Sequence, residues 1–131
     1  MNTDEIHACM KLSFADTPFP KVVGRLLSAG VRAYQVDLVL LRATYYDGAD
    51  GGYDHALPLE NAPKISGNFD ASAVAAEVRA IQQGKLGYAE FPRRIMRVGC
   101  ASYAVFIAGA KVDYVGRDGQ IHTEHFPGAK T

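Results

Sequence analysis

The sequence contains no tryptophan, only two cysteines and no surplus of charge of either sign. Among its 131 residues, 14 lysine and arginine side chains balance 14 aspartate and glutamate side chains. Proteins that coat DNA or RNA need an excess of basic side chains to neutralise phosphates, so this balance argues against a nucleic-acid partner. Cys9 and Cys100 lie far apart without a Cys-x-x-Cys spacing. Such isolated cysteines are typical of buried, reduced thiols.

Long hydrophobic runs are also missing. The most apolar stretch, Val36 to Leu41, is interrupted by Asp37 and is far shorter than the roughly 20 residues of a membrane-spanning helix. The first residues are polar and acidic, without the basic and apolar segments of a secretory signal. We therefore expect a cytoplasmic protein with no membrane partner. The composition, 48% hydrophobic and 21% charged, is that of one globular domain.

The sequence contains an internal repeat. Two segments that begin at a glycine share glycine, tyrosine and valine at the same offsets, and each continues to a glycine-containing turn and a proline. The matching positions are Gly30, Tyr34, Val36, Tyr45, Gly48–Gly51 and Pro58 in the first segment, and Gly99, Tyr103, Val105, Tyr114, Gly116–Gly119 and Pro127 in the second. Recurrence of these signals in the same order indicates two related structural units.

Hydrophobic periodicity predicts two helices in each half. In the clearest case, apolar residues from Phe19 to Leu27 follow the spacing of one helix face, with Pro20 in the first turn and Gly30 after the end. Asp70 is typical of the N-cap of a later helix. The predicted helices cover about 3–15, 19–29, 70–83 and 88–98.

Strand signals follow each pair of helices. β-branched and aromatic residues are bounded by turn residues, as in antiparallel meanders. We predict an α+β fold, a single domain over 1–131 with an internal duplication into two αα-βββ half-repeats. The meanders cover about 33–57 and 102–126, the half-repeats about 1–58 and 69–127, and the connector 59–68.

Part of this repeat carries a family signature. Its residues are Gly84–Phe91, Arg93–Ile95, Gly99 and Tyr103–Val105, with Gly30, Tyr34, Val36–Asp37, Tyr45–Tyr46 and Gly48 in the first half. The pattern resembles the YbcV-like family, a bacterial domain of unknown function that is sometimes labelled phage envelope protein. The resemblance extends from about Phe19 to Pro127 and departs at Val39-Leu40-Leu41, where a polar turn is expected. It implies a small intracellular bacterial protein without assigned catalytic residues.

Histidines near the C-terminus form the first candidate site. His122, Glu124 and His125 offer metal-binding side chains in a short segment. On a strand, alternate residues face opposite sides, so His122 and Glu124 share one face and His125 points to the other. His55, at the matching place in the first half, would join them only if the two meanders met there. We predict no metal site and no cofactor, with His122 and Glu124 as the nearest metal-ligand candidates.

Arg93, Arg94 and Arg97 form a local basic cluster. On a helix, Arg93 and Arg97 are neighbours at i and i+4, where they would bind an anion or an acidic partner. The alternative is a solvated helix face whose cations complement the C-terminal end of the helix dipole.

Tyrosines form another candidate site, because most of the seven fall on predicted strands. Tyr45, Tyr46, Asp37 and His55 are candidates for a ligand-binding groove between the halves, or for the active site of a small enzyme. The alternative is packing in the core. Adjacent Tyr45 and Tyr46 cannot both pack there, because neighbouring strand residues face opposite sides.

Three large aliphatic residues, Val39, Leu40 and Leu41, fall at a predicted turn. Such residues seldom occupy an exposed turn unless another surface covers them. Either the flanking strands extend into this segment, or it contacts the other half or a second copy in a homo-oligomer. No nucleophile–base pair or metal-ligand set has suitable spacing. The sequence therefore favours a non-catalytic binding or interaction module, with a small enzyme and a phage-derived accessory protein as alternatives.

Overall fold

The fold combines two pairs of helices with one antiparallel sheet. The computed structural model describes residues 1–127, so residues 128–131 of the predicted domain lie outside the described residues. The elements are α1 (Thr3–Phe14), α2 (Phe19–Ser28), β1 (Ala33–Asp37), β2 (Arg42–Tyr46), β3 (Gly52–Ala56), α3 (Ala71–Gln82), α4 (Phe91–Arg97), β4 (Cys100–Phe106), β5 (Lys111–Gly116) and β6 (Ile121–His125). The predicted α+β class is confirmed. Within 1–127, no helix has the length and apolar character needed to cross a membrane.

Capping residues and prolines set where the helices begin. The Asn2 side chain accepts a hydrogen bond from the Glu5 backbone N–H at 3.1 Å, and Asp70 caps α3 in the same way at 3.0 Å. Each cap satisfies a donor that the helix itself leaves unpaired. The helix predicted from residue 88 begins three residues later, at the start of α4. Pro92 explains the difference, because proline lacks an N–H and is tolerated only in the first helical turn.

All six strands form one sheet in the order β3-β2-β1-β4-β5-β6. β1 and β4 meet antiparallel at the centre, where Gln35 pairs with Ala104. The registers on either side of that pair match. Tyr34 pairs with Tyr45 in the first half as Tyr103 pairs with Tyr114 in the second. In the same way, the pair Ala43–His55 corresponds to the pair Val112–Glu124. An approximate two-fold axis between Gln35 and Ala104 therefore relates the strands of the two halves, while an origin by duplication stays a prediction.

The helices pack on one face of the sheet, which we call the covered face, and leave the open face to solvent. Along β1, Tyr34 and Val36 are buried while Gln35 between them is exposed. The core lies between the covered face and helical residues such as Ile6 and Ile95, which are both fully buried. One polar and one apolar face is the usual arrangement of an antiparallel sheet.

Residues with positive φ mark the same points in both halves. Gly30 and Gly99 have φ of 93° and 99° and lie between the second helix and the first strand of each half. Leu41 and Ala110 have φ of 57° and 55° and close the turns after β1 and β4. The aliphatic segment 39–41 is therefore a turn, as predicted, and β1 ends at Asp37 without extending into it.

Candidate functional site

The four residues Tyr45, Tyr46, Asp37 and His55 do not share one site, which corrects the prediction of a single group. Tyr45 and His55 lie on the covered face and are 2% and 9% exposed. Tyr46, the next residue of β2, points to the open face and is 42% exposed. Asp37 caps the following turn, because its carboxylate accepts hydrogen bonds from two backbone N–H groups at 2.9 and 3.0 Å. Alternation along the strands leaves Tyr45 and His55 together.

His55 has a buried ring nitrogen without a partner. Its Nδ1 lies 2.9 Å from the carbonyl oxygen of Ala56. Because a carbonyl only accepts, Nδ1 carries the proton and, in the neutral ring, Nε2 keeps a free lone pair. Nε2 has no hydrogen-bond partner among residues 1–127. Leaving a buried polar atom unpaired costs about 1–3 kcal/mol, so this acceptor is a candidate ligand contact.

The His55 ring belongs to a stack of four near-parallel rings. Tyr34 stacks on Tyr45 at 5.3 Å and 28°, and Tyr45 on His55 at 5.4 Å and 22°. His7 of α1 completes the stack, with its ring centre 4.6 Å from that of His55 at 30°. The stack therefore runs from the buried middle of the sheet to an exposed side chain of α1. Such contacts are favourable for aromatic rings and fix the orientation of the His55 ring.

His7 also contacts the neighbouring phenol on β3. Its Nε2 is hydrogen-bonded to the Tyr53 hydroxyl, and the two rings meet edge to face at 5.5 Å. We call His7, Tyr53 and His55, with Tyr45 beneath them, the imidazole cluster. The sequence pattern does not identify His7 as a member, because 46 residues separate it from Tyr53. Finding it requires knowing that α1 lies over β3.

The matching position in the second half carries an ion pair instead. Glu124, which corresponds to His55, is 9% exposed and accepts a hydrogen bond from Arg79 at 2.6 Å. Its other oxygen lies 2.5 Å from Nε2 of His122. Burial alone raises the pKa of Glu124, but the hydrogen bonds and charges of Arg79 and His122 outweigh burial and lower it. In this half the buried polar group is therefore fully partnered.

The metal-ligand candidates are part of that pair. Within the described chain, no group of three or more His, Cys, Asp or Glu side chains is placed to hold a metal ion. His125 is exposed, while His122 and Glu124 lie on the face of β6 that α3 covers. His55 lies on β3, at the opposite edge of the sheet from β6, so the two meanders do not bring it to His122.

Each arginine of the predicted basic cluster has a partner within the chain. The contacts are Arg93 with the carbonyl oxygens of Glu60 and Asn61, Arg94 with Glu77 at 3.7 Å, and Arg97 with Glu90 at 3.3 Å. The first contact fastens the connector to α4, and the second joins α3 to α4. Anion binding by these side chains stays a prediction, and any anion would compete with these contacts.

The aliphatic turn is only partly covered. Leu41 packs against the core, whereas Val39 and Leu40 are 61% and 70% exposed. No part of the described chain covers these two side chains, so contact with the other half does not account for them. A second copy of the chain is the remaining predicted partner.

The buried thiols and phenols are held in their protonated forms. Burial raises the pKa of the Cys100 thiol to about 12. The pKa of the Cys9 thiol is also raised, mainly by burial and to a smaller extent by the nearby Glu5 carboxylate. Burial likewise raises the pKa of Tyr45 and Tyr114. Because the thiolate is the reactive form of cysteine, neither thiol is prepared to act as a nucleophile at neutral pH.

The ion pair of Glu124 gives a pH-dependent prediction. Since its pKa is lower in the folded protein than the ordinary 4.5, Glu124 stabilises the fold above pH 4.5 and loses this contribution as the pH falls through the folded value. We expect wild type to be more stable than Glu124→Gln at neutral pH, with the difference shrinking below pH 4.5. Urea denaturation across this range measures it. Glu60→Gln, an exposed carboxylate, is the control, and a Glu124→Gln deficit independent of pH would contradict the assignment.

Comparisons with known proteins assign no activity. No family model matches the chain. It is similar to uncharacterized proteins of Mycobacterium bovis and of two Mycobacterium tuberculosis strains, each 28% identical over 108 residues. The aligned region covers 82% of this chain and 66% of each relative. The chain thus spans just under two thirds of the length of these relatives, whose descriptions name no function.

Proposed function

We propose that the protein is a non-catalytic binding module whose small-molecule ligand binds at the imidazole cluster. The observation that carries this proposal is the buried Nε2 of His55, an acceptor without a partner in residues 1–127. Small-molecule sites combine aromatic or apolar walls with a few oriented polar groups. Here His7 supplies an exposed ring and Tyr53 adds a hydroxyl. The buried Tyr45 ring supports the His55 imidazole from below, and the Ala56 carbonyl orients it.

Comparison of the two halves supports this choice of site. The matching strands have the same register, yet Glu124 is paired with Arg79 and His122 while Nε2 of His55 is unpaired. The unpaired acceptor is therefore a property of the side chains in the first half and not a requirement of the fold. A polar group kept unpaired against a cost of about 1–3 kcal/mol is consistent with use by a ligand.

Binding at this site should be seen directly on the His55 nitrogen. When a fragment library is screened, we expect the compounds that bind to shift the ¹⁵N resonance of His55 Nε2, because that atom gains a hydrogen bond. His55→Phe keeps a ring in the stack but has no lone pair, and losing one such bond weakens binding about tenfold. His125→Phe, a histidine on the open face, is the matched control. Equal affinity for both variants would refute the site.

A small enzyme is the alternative for the same residues. A neutral imidazole whose other nitrogen is held by a backbone carbonyl also has the form of a general base. Its predicted partners Asp37 and Tyr46 lie outside the imidazole cluster, which favours binding over catalysis. Chemical turnover of a bound fragment by wild type, lost in His55→Phe, would favour the enzyme. Membership of the YbcV-like family, a phage-related role and a cytoplasmic location stay predictions.

A second candidate function is self-association through the aliphatic turn, which rests on the exposure of Val39 and Leu40. We expect a homo-oligomer at high protein concentration that Leu40→Lys shifts toward monomer, because a charge replaces apolar contact area. Sedimentation velocity and native mass spectrometry measure this shift. Leu27→Lys, at a 54% exposed leucine of α2, is the control. A strictly monomeric wild type, with Leu40→Lys unchanged in mass and solubility, would exclude the interface.

A further inference from the structure

We propose that a groove between the two halves binds a small carboxylic acid with an apolar tail, and that Arg93 holds its carboxylate. This site is separate from the imidazole cluster and goes beyond the proposed function. The groove has a volume of about 340 Å³, at the lower end of the range for small-molecule sites. Its walls come from the end of α1, the chain that follows β3, and the segment around the start of α4. The lining residues are Phe14, Pro58, Leu59, Glu60, Ala89 and Arg93.

Arg93 brings to this groove a positive charge that no carboxylate of residues 1–127 neutralises. Its neighbours in the basic cluster, Arg94 and Arg97, each form an ion pair with a glutamate, which an anion would have to displace. The Arg93 guanidinium instead donates one N–H from each terminal nitrogen to the carbonyl oxygens of Glu60 and Asn61. A guanidinium has five N–H groups, so these neutral contacts orient it and leave three for an anion. Such a fork suits a carboxylate.

The walls around Arg93 are apolar and are held in place by contacts between elements. Leu59 is 6% exposed, and the Phe14 ring packs edge to face against Tyr88 at 5.2 Å. The backbone N–H of Ala89 donates to the Asp16 carboxylate at 3.1 Å, which fastens the end of α1 to the segment before α4. The groove is therefore formed before a ligand arrives, which lowers the cost of binding.

These walls define the chemistry of the ligand. Phe14, Pro58 and Leu59 offer apolar surface, so they suit an aromatic or branched aliphatic tail. One guanidinium matches the single negative charge of a carboxylate, whereas a phosphate carries close to two charges at neutral pH. The carboxylate of Glu60, on the same groove, disfavours that second charge. Phenylacetate combines the required charge with an aromatic tail and is the probe.

The test measures phenylacetate affinity by NMR titration at about pH 7, where the acid is ionised. Arg93→Gln should bind at least tenfold more weakly than wild type, because it loses charge-assisted hydrogen bonds. Arg94→Gln removes a charge one residue away and should bind as wild type does. Ala89→Leu fills the groove while keeping Arg93, and it should also lose at least tenfold. Phenylacetamide lacks the charge and acetate lacks the ring, so each should bind wild type at least tenfold more weakly than phenylacetate.

Several results would overturn this inference. They are the absence of saturable phenylacetate binding to wild type, equal affinity of Arg93→Gln and Arg94→Gln, and equal binding of phenylacetate and phenylacetamide. Circular dichroism melting establishes that each variant is folded. If Arg93→Gln does not fold, Ala89→Leu decides the question, because unchanged affinity in that variant excludes the groove. His55→Phe should bind phenylacetate as wild type does, and a loss there equal to that of Arg93→Gln would place the acid at the imidazole cluster instead.

Discussion

Gly99→Ala is expected to lower the free energy of unfolding by at least about 4 kcal/mol, the range in which a buried clash and backbone strain act together. A Cβ at this position would lie 2.1 Å from the backbone oxygen of Asn68, and the φ of Gly99 is +99°. The clashing segment cannot move freely, because Ser66 and Asp70 on either side donate backbone hydrogen bonds to α4 and the residue after it at 3.0 and 2.9 Å.

Gly30→Ala is the matched control for this prediction. Gly30 occupies the corresponding place in the first half with a φ of +93°, but an added Cβ would meet only Met1 at 3.5 Å, an ordinary contact. It should therefore show the backbone strain alone, about 1–2 kcal/mol. Urea denaturation followed by circular dichroism compares the two. If Gly99→Ala is insoluble while Gly30→Ala is soluble, the result agrees with the prediction. Equal losses of unfolding free energy in the two variants would contradict it.

The fold is largely predictable from the sequence because its signals are local and occur twice. The glycines at 30 and 99, the caps and the first-turn prolines mark helix ends by backbone chemistry that acts within a few residues. The order of the strands in the sheet is not predictable in this way. Which edges pair depends on contacts between distant segments, such as Gln35 with Ala104, and no local pattern specifies those contacts.

The candidate site is less predictable for the same reason. Once β2 is predicted as a strand, alternation alone places Tyr45 and Tyr46 on opposite faces of the sheet. The sequence is therefore sufficient to show that these two tyrosines do not share one site. The contact of His7 with Tyr53 and His55 does not follow from the sequence, because it depends on α1 lying over β3, and helix periodicity does not report which strand a helix covers. The unpaired state of His55 likewise depends on all the groups around it, which only the packed structure shows.

The two halves show how one framework carries different chemistry. Matching strand registers place His55 and Glu124 at corresponding points of β3 and β6, each against the first helix of its half. Arg79 on α3 neutralises Glu124, whereas α1 presents the ring of His7 to His55. A buried carboxylate requires such a charged partner, while a neutral imidazole does not. The first half is therefore the one whose buried polar group has an unpaired acceptor among residues 1–127.

Tyr45→Ala is expected to lower the free energy of unfolding by about 3–5 kcal/mol, the usual cost of truncating a buried aromatic ring. Tyr45 is 2% exposed and lies between Tyr34 and His55, with ring centres 5.3 and 5.4 Å away. Its loss opens a cavity on the covered face and removes the support beneath the imidazole cluster. Denaturant titration measures the stability, and the ¹⁵N spectrum of His55 reports the cluster.

Neighbouring and conservative variants make the Tyr45 prediction decisive. Tyr46→Ala removes the same side chain one residue later, on the open face, and should cost less than about 1 kcal/mol, as surface substitutions do. Tyr45→Phe keeps the stacked ring and should retain most of the stability, with the His55 signals near their wild-type positions. Similar losses for Tyr45→Ala and Tyr46→Ala would mean that both rings contribute equally to the core. That result would contradict the assignment of Tyr45 to the covered face and of the ring stack to its support.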